Sequence, residues 1–307
     1  MNRHDQTLAL LEQREDIIST LDVAGIGLQF ITNALFPYQR VCSLLVSEPE
    51  TISWLQSAPA GSQLWDVGAN MGLYSIYAAA VCHLQVRAFE PEAGNFALLN
   101  RNIMLNDLGG AITSYCCGLS DHSGLTTLYK HLDFESSAIN SVGVELDAHL
   151  RPHKAIHQQG VAVFSGDDLI THHHIPPPAY IKIDVDGIEH LIVNGMSDLL
   201  MNSCQSLLVE LNTELPEHQH AIQRITEAGL QISEELTAMT TIKSGYWKGL
   251  VNLIAHRNPI TLDQIREQVK TTIETDKTLA AYQQMLADNR AAYGHPERVT
   301  VNYRKHR

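Results

Sequence analysis

Cysteine is scarce in this 307-residue chain and poorly spaced for cross-links or metal binding. The five cysteines, at 42, 82, 116, 117 and 204, are odd in number and contain no CxxC pair. That argues against a disulfide framework and a zinc knuckle and leaves a reducing cytoplasm as the simplest compartment. Basic residues are also in deficit. The 21 Lys and Arg against 34 Asp and Glu give a net charge of −13, so long-range electrostatics repel nucleic acid and anionic membrane surfaces and favour a small or sugar-like partner. No apolar run is long enough to span a bilayer: the longest, residues 26–36, is interrupted by Gln29, Thr32 and Asn33. The first residues are too acidic for a secretory signal. There is no internal repeat, no low-complexity linker and no GxGxxG turn.

What is present is a core's worth of apolar residues, 44% of the chain, and one stretch that organises the rest. Residues 63–80, "QLWDVGANMGLYSIYAAA", read as strand, glycine-bearing turn and helix. Such a turn brings a ligand close to the backbone and to the free N–H groups of the next helix. From Gly61 strands and helices alternate. Strands are expected at 63–67, 84–90 and 111–117, with helices at 73–82 and 93–105 between them, a β-α-β-α-β run that predicts a parallel sheet with right-handed crossovers. A polar segment, 120–159, interrupts the rhythm with "SGLTTLYK" as an extra strand or hairpin arm, and the register resumes at "VAVFSGDDLI", where Asp167 or Asp168 starts a short helix.

"AYIKIDVDG", 179–187, is the best central strand; a helix follows to about Leu200, then a buried strand at 204–212, a helix at 216–228, and two last strands at 230–238 and 249–257 that suggest an antiparallel edge. Residues 1–60 read as an N-terminal extension of two or three helices, from the spacing of Leu8, Leu11, Ile17, Ile18 and Leu21, covering the sheet of a domain at 61–258. Residues 259–307 read as a helical tail, opened by a Thr261/Gln264 capping box, with Ile265, Val269 and Ile273 on one side. The terminal helices are also the candidate homodimer contact.

Ligands of open α/β sheets sit at the carboxyl ends of the strands, and three strong strands end there in acids: Asp66, Glu90 and Asp184. Glu90 follows Asp66 by 24 residues, the length of a turn, a helix and a strand, so it belongs beside the glycine turn. A carboxylate there suits the paired hydroxyls of a ribose. The turn itself is Gly68-x-x-x-Gly72 with an acid two residues before it. An acid there repels a pyrophosphate and suits an ammonium group, which favours S-adenosyl-L-methionine over a nicotinamide dinucleotide.

The motifs "DVGANMGLYS", "AFEPEAGNFALLNRNIMLN", "GLSDHSG", "SGDDLI", "IKIDVDGIEHLIVNGM" and "LLVELN" resemble, in order and spacing over about 61–257, those of FkbM-type methyltransferases. The resemblance implies a Rossmann-like class I α/β fold: a seven-stranded, mostly parallel sheet with an antiparallel last strand and helices on both faces; it does not reach the helical extensions expected at both ends. It also implies S-adenosyl-L-methionine-dependent transfer of a methyl group to a hydroxyl of a sugar, glycan or other small molecule. Carried over, it makes Asp66, Gly68, Asn70 and Gly72 the methionine-end turn and Glu90 the ribose acid, supported by Asn95 and Asn102. Many class I enzymes hold adenine with an acid directly after the third strand. Cys117 and Gly118 stand there in this chain, and Ser120 and Asp121, slightly later, are the adenine-side candidates. Where the family commonly has Asp-Val-Glu-Gly, this chain has Asp184-Val185-Asp186-Gly187.

Methyl transfer to oxygen needs a base. Asp184 is the first candidate, with Glu189 and His190 close behind it. The other histidines, including the run at 172–174 and the four-spaced His149, His153 and His157, read as loop residues, since Pro152 breaks any helix that would align them, and no metal centre is expected. Tyr246 and Trp247, between glycines, either offer a platform for a sugar ring or close the sheet edge. Two other classes remain open: a catalytically silent methyltransferase-like scaffold and, less favoured, a nicotinamide oxidoreductase.

Overall fold

The computed structural model describes residues 16–133 and 136–275. Its first element is a hairpin where helices are expected. β1 (Ile18–Val23) pairs antiparallel with β2 (Ile26–Ile31), and Val23 faces Ile26, so the loop is only Ala24 and Gly25. Both have positive φ, +52° and +88°, the conformation of a type I′ turn, which matches the twist of flanking strands. Ile18 and Leu21, read by spacing as helical, sit instead in an alternating strand whose β-branched residues favour the pleat, and Ile17 lies just before it. The earlier apolar pair, Leu8 and Leu11, lies outside the described residues.

Two helices follow, α1 (Leu35–Ser43) and α2 (Pro49–Ser57). They are integral to the core: Trp54 Nε1 donates to Ser206 Oγ at 2.8 Å, and Asn252 Nδ2 to Glu50 Oε1 at 3.0 Å, both buried. β3 (Gln63–Val67), α3 (Leu73–Ala80), β4 (Gln85–Phe89), α4 (Ala93–Leu105) and β5 (Ile112–Tyr115) then give the β-α-β-α-β unit in parallel register.

The polar segment builds a second sheet. β6 (Gly118–Leu119), β7 (Gly124–Lys130), β8 (Asn140–Val142) and β9 (His157–Phe164) order as β6-β9-β7-β8. "VAVF" therefore belongs to this sheet and does not return to the central one. Its alternation turns Val161 and Val163 onto Leu128 and Val142, a small core of its own. α5 (Gly166–Thr171) starts as expected near Asp167, capped by Ser165, whose Oγ accepts from the Asp168 N–H.

The central sheet resumes with β10 (Tyr180–Ile183), followed by α6 (Glu189–Asn194) and α7 (Ser197–Asn202). The single helix expected here is broken at Gly195, where a Cβ would collide with the Ser120 carbonyl of the second sheet. β11 (Ser206–Asn212), α8 (Pro216–Glu227), β12 (Gln231–Ile232), α9 (Glu234–Thr240), β13 (Leu250–His256) and α10 (Pro259–Thr275) complete the described chain. Most of the strand expected at 230–238 is helix. Ser233 accepts from the Leu236 N–H, and Glu234 and Glu235 lie in the first turn, where the helix dipole favours acids. α10 starts at Pro259 rather than Thr261, because Asn258 Oδ1 takes the Ile260 N–H; Ile265 and Val269 are buried and Ile273 is exposed.

The central sheet has the order β12-β13-β11-β10-β3-β4-β5, with β13 antiparallel to both neighbours. Strand order reverses between β3 and β10, so their carboxyl ends flank the switch point where such sheets bind ligands. Two apolar clusters cover its faces: one includes Leu28, Phe30 and Trp54 from the N-terminal segment, the other Ile192, Ile225 and Leu253. Among the described residues, no helix is long and apolar enough to cross a membrane.

Candidate active site at the carboxyl edge of the central sheet

The turn after β3 has the geometry its glycines require. Gly68 and Gly72 have φ of +85° and +90°, and Asn70 between them +50°. A Cβ on Gly68 would overlap the Asp184 carbonyl, so this glycine lets the β3 turn close against the loop after β10. Asn70 fixes the turn from both sides. Its N–H donates to Glu90 Oε2 at 2.8 Å, and its side chain donates to the Ser137 carbonyl and accepts from Ser136 Oγ. Asn95 Nδ2 donates to the same Ser137 carbonyl, while Asn102 bridges the Met71 carbonyl and the Ile31 N–H, so both expected supports act on the turn or its covering segment.

Glu90 lies beside this turn, as its 24-residue offset implies. It is buried, and its second oxygen accepts from the Glu92 N–H at 2.9 Å. Burial pushes its carboxyl up to about 7, against the pull of those two N–H donors. Each carboxylate oxygen has two lone pairs, so Glu90 keeps acceptor capacity beyond its protein donors, among which is the Asn95 side chain.

A cleft opens here, at the switch point of the central sheet. Gly68, Asn70, Glu90, Asn95, Asp184 and Asp186 line it from the central sheet, and Ser137, Asn140 and Val142 from the second-sheet segment. Ser137 Oγ and Asn140 Oδ1 are buried without a hydrogen-bond partner. No lysine, arginine or histidine is among the described lining residues.

Behind the lining lies an ion cluster. Lys182, on β10, is 2% exposed and donates to Asp184 Oδ2 at 2.7 Å, with its ammonium 4.9 Å from the Tyr74 ring centroid. Burial alone would lower its basicity, but Asp184, Asp66 and Glu48 hold it well above the ordinary range. Asp66 is buried beside it; Oδ2 accepts from Ser75 Oγ at 2.5 Å, and Oδ1 has no hydrogen-bond partner. Burial raises its carboxyl more than Lys182 and Ser75 lower it. Asp66 thus stands one layer behind the cleft.

The loop after β10 carries Asp186 at φ +64° and Gly187 at φ +130°. Asp186 Oδ2 accepts from the Ile139 N–H at 2.7 Å, and burial, with the neighbouring Asp184 charge, raises its carboxyl to about 6. Glu189 points away from the cleft, its Oε1 receiving the N–H groups of Val185 and Gly187. His190 packs on the His218 ring with centroids 5.4 Å apart and does not line the cleft. Ser120 and Asp121 lie outside the lining as well: Ser120 is buried and bonded to Asp121, which is exposed and paired with His122. On that side Cys117, Gly118 and Leu119 line the cleft instead. Tyr246 and Trp247 flank His149, at 4.5 and 5.8 Å between centroids, and Tyr246 Oη donates to Asp147; neither lines the cleft.

Among the polar lining residues, Ser137 and Asn140 are absent from the sequence reading, and Asp186 is named there without a role of its own. The first two sit in a segment without periodicity, and only the left-handed pair at 186–187 offered a local cue.

A family model described as the methyltransferase FkbM domain matches residues 66–232. The hexuronic acid methyltransferase AglP of Haloferax volcanii is 27% identical over 222 residues, 71% of this chain and 83% of that protein. The methyltransferase sdnD of Sordaria araneosa is 33% identical over 75 residues, 24% of this chain and 29% of that one. Among solved structures, the methyltransferase FkbM from Methylobacillus flagellatus aligns with a TM-score of 0.41 at 15% identity, over 64% of this chain and 43% of that one.

Proposed function

The chain belongs to the FkbM methyltransferase family, and on that premise we propose that it transfers a methyl group from S-adenosyl-L-methionine to a hydroxyl of a sugar-type or other small-molecule acceptor. The observation that carries this reading is a cleft at the switch point walled by Glu90, Asp184 and Asp186 with no cation among its described lining residues. Such a wall repels a dinucleotide's pyrophosphate and attracts a cationic sulfonium compound. The residues fit that cofactor. Glu90 retains acceptor capacity for ribose hydroxyls, the Gly68 turn admits close approach, and Ser137 Oγ and Asn140 Oδ1 offer polar groups that the protein leaves unbonded. Asp66 and Asn70 set the charge and shape of the methionine end.

When bound, S-adenosyl-L-methionine supplies an electrophilic methyl group. Asp184 orients the acceptor hydroxyl and takes its proton, and Lys182, hydrogen-bonded to the same carboxylate, fixes its position. Glu189 and His190, turned from the cleft, shape the loop instead. The relationship to a hexuronic acid methyltransferase makes sugar acids the first acceptor class to try.

The test is calorimetry with S-adenosylhomocysteine. One-to-one micromolar binding, lost in Glu90→Ala, supports the cofactor site, and mass-spectrometric detection of methylated hexuronic acid glycosides then identifies the acceptor class. A folded protein that binds no S-adenosylhomocysteine would return the chain to the scaffold reading.

A further inference from the structure

We propose that His218, on α8 and outside the cleft, is a positioning residue: its neutral imidazole, protonated at Nε2, ties the Asp184–Gly187 wall of the cleft to the end of β11. The inference rests on reading the cleft as the cofactor site. His218 is 1% exposed, and each of its ring nitrogens is engaged. Nδ1 lies 2.8 Å from the Asn212 backbone nitrogen. That amide can only donate, so Nδ1 is unprotonated and the ring proton resides on Nε2, 3.2 Å from the Gly187 carbonyl. One ring therefore joins the last residue of β11, a buried strand paired on both sides, to the loop that carries two cleft-lining acids.

The loop needs such a tether. Asp186 holds a left-handed φ, unfavourable for a residue with a side chain, and such conformations persist only where the surroundings over-determine them. Glu189 secures the loop's Val185 and Gly187 N–H groups and the Ile139 N–H secures the Asp186 carboxylate, while the Gly187 carbonyl is met by His218 at 3.2 Å, with His190 also interacting with it. A second ring proton would point at the Asn212 N–H and break the tie. The titratable groups around the ring are Glu189, whose Oε2 is 3.7 Å from Nε2, His190 against its face, and Glu217 on its own helix. Burial, with His190 adding to it, pulls the imidazole down to about 4 against the Gly187 carbonyl and Glu217, so the neutral form holds at ordinary pH.

The test compares the full-length protein with His218→Ala, His218→Gln and His218→Asn. Glutamine keeps a donor for Gly187, and asparagine keeps an acceptor for Asn212. S-adenosylhomocysteine affinity is read by calorimetry, and amide hydrogen exchange is read at 185–187 and 212 in the unliganded protein. His218→Ala is expected to weaken affinity by about tenfold, one good hydrogen bond's worth, and to speed exchange at both places. The glutamine variant should restore protection in the loop, and the asparagine variant at Asn212. The proposal is overturned if the alanine variant matches the parent in both readouts, or if neither polar variant improves on it. Should the alanine variant not fold, the comparison of glutamine and asparagine still decides. If the parent fails to bind S-adenosylhomocysteine, the cofactor reading falls, while exchange in the free protein still judges the tether.

Discussion

Lys182 Nζ lies 2.7 Å from Asp184 Oδ2, joining a lysine side chain 2% exposed to an aspartate side chain 30% exposed at the cleft wall. The same ammonium compensates Asp66 behind it. Lys182→Met, close in volume, would strand two carboxylates beside an apolar side chain. Equilibrium unfolding in denaturant should show a loss of about 3–5 kcal/mol, the range for a buried ion pair broken on one side. Lys182→Met combined with Asp184→Asn should recover part of it. An unchanged midpoint in the single variant would mean that the pair carries no net stability.

Asp184→Asn keeps the shape of the wall and removes its charge. With Asp184 as base, single-turnover methyl transfer should slow by about 10²–10⁴-fold, while S-adenosylhomocysteine affinity stays close to that of the parent. Equal rates would remove Asp184 from the chemistry and leave it as an orienting group.

Glu90 makes cofactor binding pH-dependent. Its carboxyl, pushed up to about 7 by burial, takes a proton more readily folded than unfolded. Its contribution to stability is therefore full below its unfolded value of 4.5 and is lost as pH rises through 7. Ribose recognition runs the other way, because the ionised form accepts hydroxyl hydrogen bonds. S-adenosylhomocysteine affinity should rise about tenfold between pH 6 and 8 and level off above that. Asp186 and Glu189 also titrate near this window, so Glu90→Gln is the control: weak binding with the rise abolished.

Gly68→Ala tests the closure of the β3 turn on the loop after β10. The new methyl meets a backbone carbonyl, which cannot swing aside, at a φ of +85°. Left-handed strain and overpacking together should cost roughly 2–5 kcal/mol, read as a fall in Tm. At Gly118, also in the cleft wall, an added Cβ meets a Val163 methyl at 3.3 Å without a positive φ, so Gly118→Ala should be much milder.

The sequence by itself determined the strand, turn and helix at 63–80, the acids at the strand ends and the antiparallel edge. These follow from periods of two and 3.6 and from turn chemistry, all of which act within a few residues. Glu90 was legible for the same reason, because one crossover has a nearly fixed length. The N-terminal hairpin was missed although its Ala24-Gly25 turn is local, since apolar residues at mixed spacing satisfy either period. α9 was missed because Ser-Glu-Glu-Leu caps a helix as readily as it alternates in a strand. Tertiary structure alone decided what completes the cleft. Asn70 meets Ser136 and Ser137 across 66 and 67 residues, and His218 reaches Gly187 across 31. Side chains so far apart meet only once two sheets and a helix have packed, and no local pattern encodes which of their polar atoms will then face one another.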